Sequence, residues 1–174
     1  MTRRTTAILL LAVVGLLAAG TLSPAGRTPV VQTAPERTIV RFGVITDLHY
    51  ADRDSVSGRI YRESTGKLAE FVSVMNREKA DFVIELGDYK DQDVQPVPAR
   101  TLSFLRTIEG VFVGFKGPRY HVLGNHDEDS LTKAEFLGAI ENTGISDGRT
   151  YYSFDQGGVH FIVLDPNFRS DGRE

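Results

Sequence analysis

Hydrophobic positions change period several times along this chain, and each change marks an element. Ile39, Val40, Phe42, Val44 and Ile45 form a dense apolar run, which predicts a strand buried on both faces. From Ser64, a candidate N-cap, to about Arg77, the residues Leu68, Phe71, Val72 and Met75 follow helical spacing, with Met75 filling core. Residues 81–86 predict a second strand, 99–109 a second helix and 120–123 a third short strand. Thr132 and Glu135 make a capping box, and Leu131 with Phe136 the matching hydrophobic staple, so a third helix starts there. Residues 151–154 and 159–164 predict two last strands joined at Gly157-Gly158, with Tyr151, Tyr152 and Phe154 suited to strand packing. Strands alternating with helices, then a hairpin, imply an α/β layered domain.

The segments between carry the chemistry. Asp47-Leu48-His49 follows the first strand, Gly87-Asp88 the second and Gly124-Asn125-His126-Asp127 the third. In α/β sheets, ligands collect at the carboxyl ends of strands. Asp47 and His49 are two residues apart, so a continuing strand would turn both side chains to one face, toward one cation. Asp88 follows a glycine that lets the backbone turn sharply, and its two oxygens suit a bridge between metals. Asn125 offers a neutral oxygen. His126, its neighbour, must point elsewhere and suits proton transfer, with Asp127 expected to hold its ring. Oxygen and imidazole donors together favour Mn, Fe or Zn.

The order Asp-x-His, Gly-Asp-x-x-Asp, Gly-Asn-His-Asp over about residues 39–164 resembles the calcineurin-like metallophosphoesterase superfamily. The resemblance implies a β-sandwich flanked by helices and a two-metal site that hydrolyses phosphomonoesters or phosphodiesters by a metal-bound hydroxide. It gives Asp47 and His49 to the first metal, Asp88 to both and Asn125 to the second. His126 becomes the acid, with Asp127 as its partner. Asp91 stands where the purple acid phosphatase branch carries tyrosine, so no tyrosinate-iron centre is expected. The family also completes its site with three later histidines. After Asn125 this sequence has only His126 and His160, and His160 lies mid-strand. The expectation is therefore an N-terminal part of a longer protein, with apolar sheet surface left uncovered. A non-catalytic remnant that binds one metal weakly, or contacts a protein partner, is the alternative.

The N-terminus adds a destination. Arg3 and Arg4 precede an apolar stretch from Ala7 to Ala19 and the turn-prone Ser23-Pro24-Ala25. About 13 residues at ~1.5 Å each cover ~20 Å, short of a ~30 Å hydrocarbon core. This is the pattern of a secretory signal peptide over 1–25, an uncleaved membrane anchor being the alternative. Residues 26–37 then read as a linker and 38–174 as the folded domain. An exported protein with no stable membrane span after cleavage is expected.

Composition narrows the partners. The chain is 41% hydrophobic and 25% charged with a formal net charge of −3, as in ordinary globular proteins. Its basic residues are scattered, which argues against a nucleic-acid polymer and for a small phosphate ester as substrate. Cysteine is absent, so neither disulfides nor thiolate zinc sites can form. Lys90 is expected as a solvated loop residue, His121 and His160 as structural, and Arg53, Arg59, Tyr61 and Arg62 as lying where substrate could pass.

Overall fold

A computed structural model describes residues 39–167. The predicted leader and linker, and residues 168–174, lie outside the described residues. Three parallel strands, β1 (Phe42–Ile45), β2 (Phe82–Glu85) and β3 (Arg119–His121), form one sheet in that order. Helices α1 (Ser64–Arg77) and α2 (Pro98–Phe112) supply the crossovers. A short α3 (Lys133–Leu137) precedes the antiparallel hairpin β4 (Tyr152–Gln156) and β5 (Val159–Val163). Among the described residues, no helix is long and apolar enough to cross a membrane.

The sheet separates two cores. On the helix side, Val83, Leu68, Leu105, Ile108, Phe112 and Phe136 are fully buried. On the other side the hairpin lays its aromatic face across the strands. Phe82 meets Phe154 and Phe161 edge-on at 5.2 and 5.1 Å, and Tyr120 stacks on Phe154 at 3.7 Å. Two sheets face each other with helices behind one of them, the layered arrangement expected. The hairpin turns on Gly157 and Gly158, both with positive φ (58° and 81°), as a tight two-residue turn requires.

Several local expectations need correction. β1 is not buried on both faces: Phe42 and Val44 are 41% and 48% exposed, because the hairpin covers chiefly β2 and β3. Ile162 and Leu164 are exposed as well. Ser64 is the first residue of α1 rather than its cap. A 3-10 turn at Tyr61–Glu63 runs straight into the helix, leaving the Ser64 hydroxyl to donate to the Leu48 carbonyl. α2 begins at Pro98, whose missing N–H costs nothing in a first turn, and runs on to Phe112. The α3 cap stands as predicted, with Glu135 N–H donating to Thr132 Oγ1 at 3.2 Å and Thr132 N–H to Glu135 Oε2 at 2.8 Å.

Candidate metal centre

Past the ends of β1 and β2 the two chains stay paired. Asp47 N–H donates to Gly87 O (3.1 Å), His49 N–H to Asp88 O (2.8 Å), and Asp91 N–H to Tyr50 O (2.9 Å). The pairing is not a continued strand. Asp47, His49 and Asp88 have φ of 56°, 46° and 56°, in the left-handed region. Such a conformation costs a non-glycine residue on the order of 1–3 kcal/mol and persists only where surroundings impose it, most often at functional sites. Left-handed turns, and not strand alternation, therefore bring Asp47 and His49 together.

Two glycines then let the third segment approach. Gly87 has φ of 99°, and a Cβ there would stand 2.5 Å from Gly124 N. A Cβ on Gly124 would collide with Asp88 N and Oδ1. The buried Asp127 carboxylate fastens this contact. It accepts N–H groups from Gly124 (2.9 Å), Asp88 (2.9 Å), Tyr89 (3.0 Å) and Lys90 (3.3 Å). Burial pushes the Asp127 pKa up to about 6, while those donors pull against it. Lys90, expected in solvent, is wholly buried, and its ammonium caps the carbonyls of His126 (2.6 Å) and Asp129 (2.8 Å).

The donor atoms face one another across this frame. His49 Nε2 lies 3.5 Å from Asp88 Oδ2 and 3.7 Å from Asp47 Oδ1, too far for hydrogen bonds. Its buried Nδ1 has no hydrogen-bond partner and faces Asp91 Oδ2 at 3.7 Å. Burial, then the Arg59 guanidinium, lowers the His49 pKa against the pull of Asp88 and Asp91, which favours the neutral ring that a metal ligand must have. Asp91 accepts from Arg59 Nη1 at 3.0 Å, which places it behind His49 as an outer partner. Asp47 is exposed and accepts from Thr46 Oγ1 at 2.6 Å, while Asn125, also exposed, opens a 3-10 turn at Asn125–Glu128. His49, Asp88 and His126 each offer a ligand atom within 4.8 Å of the others, as do Asp91, His126 and Asp129. In the first group the imidazoles and the Asp88 carboxylate converge with no hydrogen bond between their side chains, which fits a divalent cation such as Mn.

His126 is held differently from expectation. Its N–H donates to Asp88 Oδ1 at 3.0 Å, and its ring Nδ1 lies 2.7 Å from Asp129 Oδ2. Asp129, not Asp127, stands at the ring, because three residues per turn in a 3-10 helix put i+3 over i. An open cavity of about 370 Å³ lies against Asp47 and His49, with Arg59, Tyr61 and Lys67 in its wall. Arg53 and Arg62 are engaged, Arg53 over the Tyr61 ring at 4.4 Å and Arg62 with Asp52 at 2.6 Å.

Residues 40–169 match the calcineurin-like phosphoesterase family, and the chain belongs to it. It is similar to manganese-dependent ADP-ribose/CDP-alcohol diphosphatases from Arabidopsis thaliana and from Oryza sativa subsp. japonica. Identity to the first is 34% over 138 residues, which is 76% of this chain and 43% of the relative. To the second it is 32% over 143 residues, covering 78% and 44%. Its fold matches a crystal structure of a dimetal phosphatase from Danio rerio with a TM-score of 0.65 and 26% identity, over 78% of this chain and 47% of that one. The chain thus spans less than half the length of these relatives.

Proposed function

We propose that this protein hydrolyses small phosphate diesters, diphosphate-linked ones in particular, at a site holding two divalent metals. The observation that carries this is the approach of the His49 ring to the Asp88 and Asp47 carboxylates at 3.5 and 3.7 Å with no hydrogen bond between these side chains. Asp47 and His49 would hold the first ion, Asp88 both and Asn125 the second. Bound metals at such a site supply Lewis acidity at phosphorus and acidify a water for attack. The protein's own groups do the rest. With Nδ1 on Asp129, the His126 Nε2 is the nitrogen left to carry a proton to the leaving oxygen. Lys67 and Arg59 put positive charge in the wall of the neighbouring cavity, which suits a second phosphate. Manganese dependence and diphosphate substrates in the plant relatives support the same choice.

A second reading has its own observation. Of the four histidines, His121 is buried between carboxylates and His160 pairs with exposed Asp155, leaving two at the site. That donor set suits one well-held ion better than two, and binding without turnover. Mn(II)-dependent hydrolysis of ADP-ribose and of bis(p-nitrophenyl) phosphate decides between them. The proposal expects Mn(II)-dependent turnover that is abolished in Asp88→Asn and His126→Ala. Binding of one Mn(II) with no turnover would favour the second reading. We further propose export through the basic-apolar leader, to be checked by the N-terminal mass of material recovered outside the cytoplasm.

A further inference from the structure

Glu85 closes β2, and its wholly buried side chain lies on the helix side of the sheet beside its register partner His121. Burying a carboxylate costs several kcal/mol unless partners offset it. An apolar residue would fill this position at no such cost, so the partners need a reason. Glu85 Oε1 accepts Gly87 N–H at 2.5 Å, and Oε2 lies 3.4 Å from His121 Nδ1. His121 Nε2 in turn lies 3.3 Å from Glu109 Oε2 on α2. Glu109 accepts from the Tyr89 hydroxyl at 3.1 Å and from Glu141 N–H at 3.0 Å. A line of polar contacts thus runs from the Gly87 amide through the sheet to α2.

The amides around Asp88 show what Glu85 contributes. Leu86 N–H goes to Ile45 O, those of Asp88, Tyr89 and Lys90 go to Asp127, and that of Asp91 goes to Tyr50 O. Of these, the Gly87 N–H alone goes to Glu85, and it sits one residue before Asp88 in the left-handed pair with φ of 99° and 56°. We propose that Glu85 is a positioning residue for the metal centre: it acts through Gly87 to hold Asp88 at its ligating angle. This rests on the assignment of Asp88 as a metal ligand made above.

Mn(II) binding by the full 174-residue chain, read from the electron paramagnetic resonance of free Mn(II), tests the proposal without recourse to turnover. Glu85→Leu should weaken Mn(II) affinity about 10–100-fold, the range for partners of metal ligands. Glu85→Gln, whose amide oxygen still accepts from Gly87, should restore it. Glu109→Gln loosens the same buried cluster without touching Gly87; it should lower the melting temperature and leave Mn(II) affinity as in the parent. A role confined to stability predicts the reverse: affinity following melting temperature in both variants. Should Glu85→Leu not fold, Glu85→Asp draws the carboxylate back by one methylene and should weaken binding likewise. Parent-like affinity in Glu85→Leu or Glu85→Asp, or equal weakening in Glu109→Gln, overturns the proposal. Parent-like affinity in Asp88→Asn would instead remove the ligand assignment beneath it.

Discussion

Gly87 and Gly124 meet backbone to backbone, so closely that a methyl group on either would strike the opposite segment. The contact brings the second and third ligand-bearing loops together, and it leaves no room for relaxation by a flexible side chain. Gly124→Ala is therefore expected to cost about 1–3 kcal/mol of stability, as overpacking does. It should also loosen Mn(II) binding, since the clash falls on Asp88 itself. A urea titration with a parallel Mn(II) titration reads both, and an unaltered affinity would mean that the close approach does not shape the site.

Asp127 and Asp129 should separate cleanly under substitution. Asp127 accepts four backbone amides in the interior, so Asp127→Asn should destabilise the fold by about 2–4 kcal/mol through lost charge-assisted bonds. Asp129 is partly exposed and touches the His126 ring. Asp129→Asn should lower kcat at least tenfold and shift its pH profile, with stability altered by no more than about 0.5 kcal/mol. Equal effects of the two on melting temperature would contradict this division.

Lys90→Met tests the buried ammonium. The His126 and Asp129 carbonyls would lose their donor, at about 1–3 kcal/mol for buried groups left unsatisfied. The four nearby carboxylates of Asp88, Asp91, Asp127 and Asp129 would lose their internal counter-charge. The metal-free protein should suffer more than the Mn(II)-loaded one, where bound cations replace that charge. Differential melting with and without Mn(II) measures the gap.

The Glu85–His121–Glu109 cluster makes a prediction about pH. Burial by itself would lower the His121 pKa, but the Glu109 and Glu85 carboxylates flanking the ring outweigh it and push it up to about 9. Burial raises Glu85 to about 8. Tyr89, beside the same ring, is pushed up as well and stays neutral. A histidine whose folded pKa exceeds its unfolded value of about 6.5 stabilises fully below pH 6.5. That contribution is lost as pH rises through about 9, where the ring gives up the proton that its carboxylate neighbours hold on it. Metal-free protein should therefore lose a few kcal/mol between pH 6 and 9, a slope that His121→Gln should flatten.

Much of the architecture was legible because local chemistry and tertiary structure agree. The periodic stripe of α1, the Thr132–Glu135 box and the Gly157-Gly158 turn each specify their element without help from distant residues. The three polar motifs and their family were equally plain, since each follows an apolar strand. Illegible features depended on geometry that spacing cannot express. Alternation placed Asp47 and His49 on one face, but left-handed backbone at three ligand candidates achieves the meeting. Adjacency suggested Asp127 for the His126 ring, whereas the 3-10 turn selects Asp129. Lys90 read as a solvated loop residue, and nothing in the sequence singled out Glu85. Only the folded chain shows both in the interior, joined to backbone atoms of the motifs.

The left-handed residues have a consequence for how the protein handles its metal. Asp47, His49 and Asp88 are bent by hydrogen bonds to neighbouring backbone and by Asp127, none of which needs a cation in place. A chelator should then empty the site and leave secondary structure intact, and returning ions should find their seat already shaped. A metal held there would then exchange with free ions without unfolding the chain, and circular dichroism through a cycle of chelation and reloading checks this.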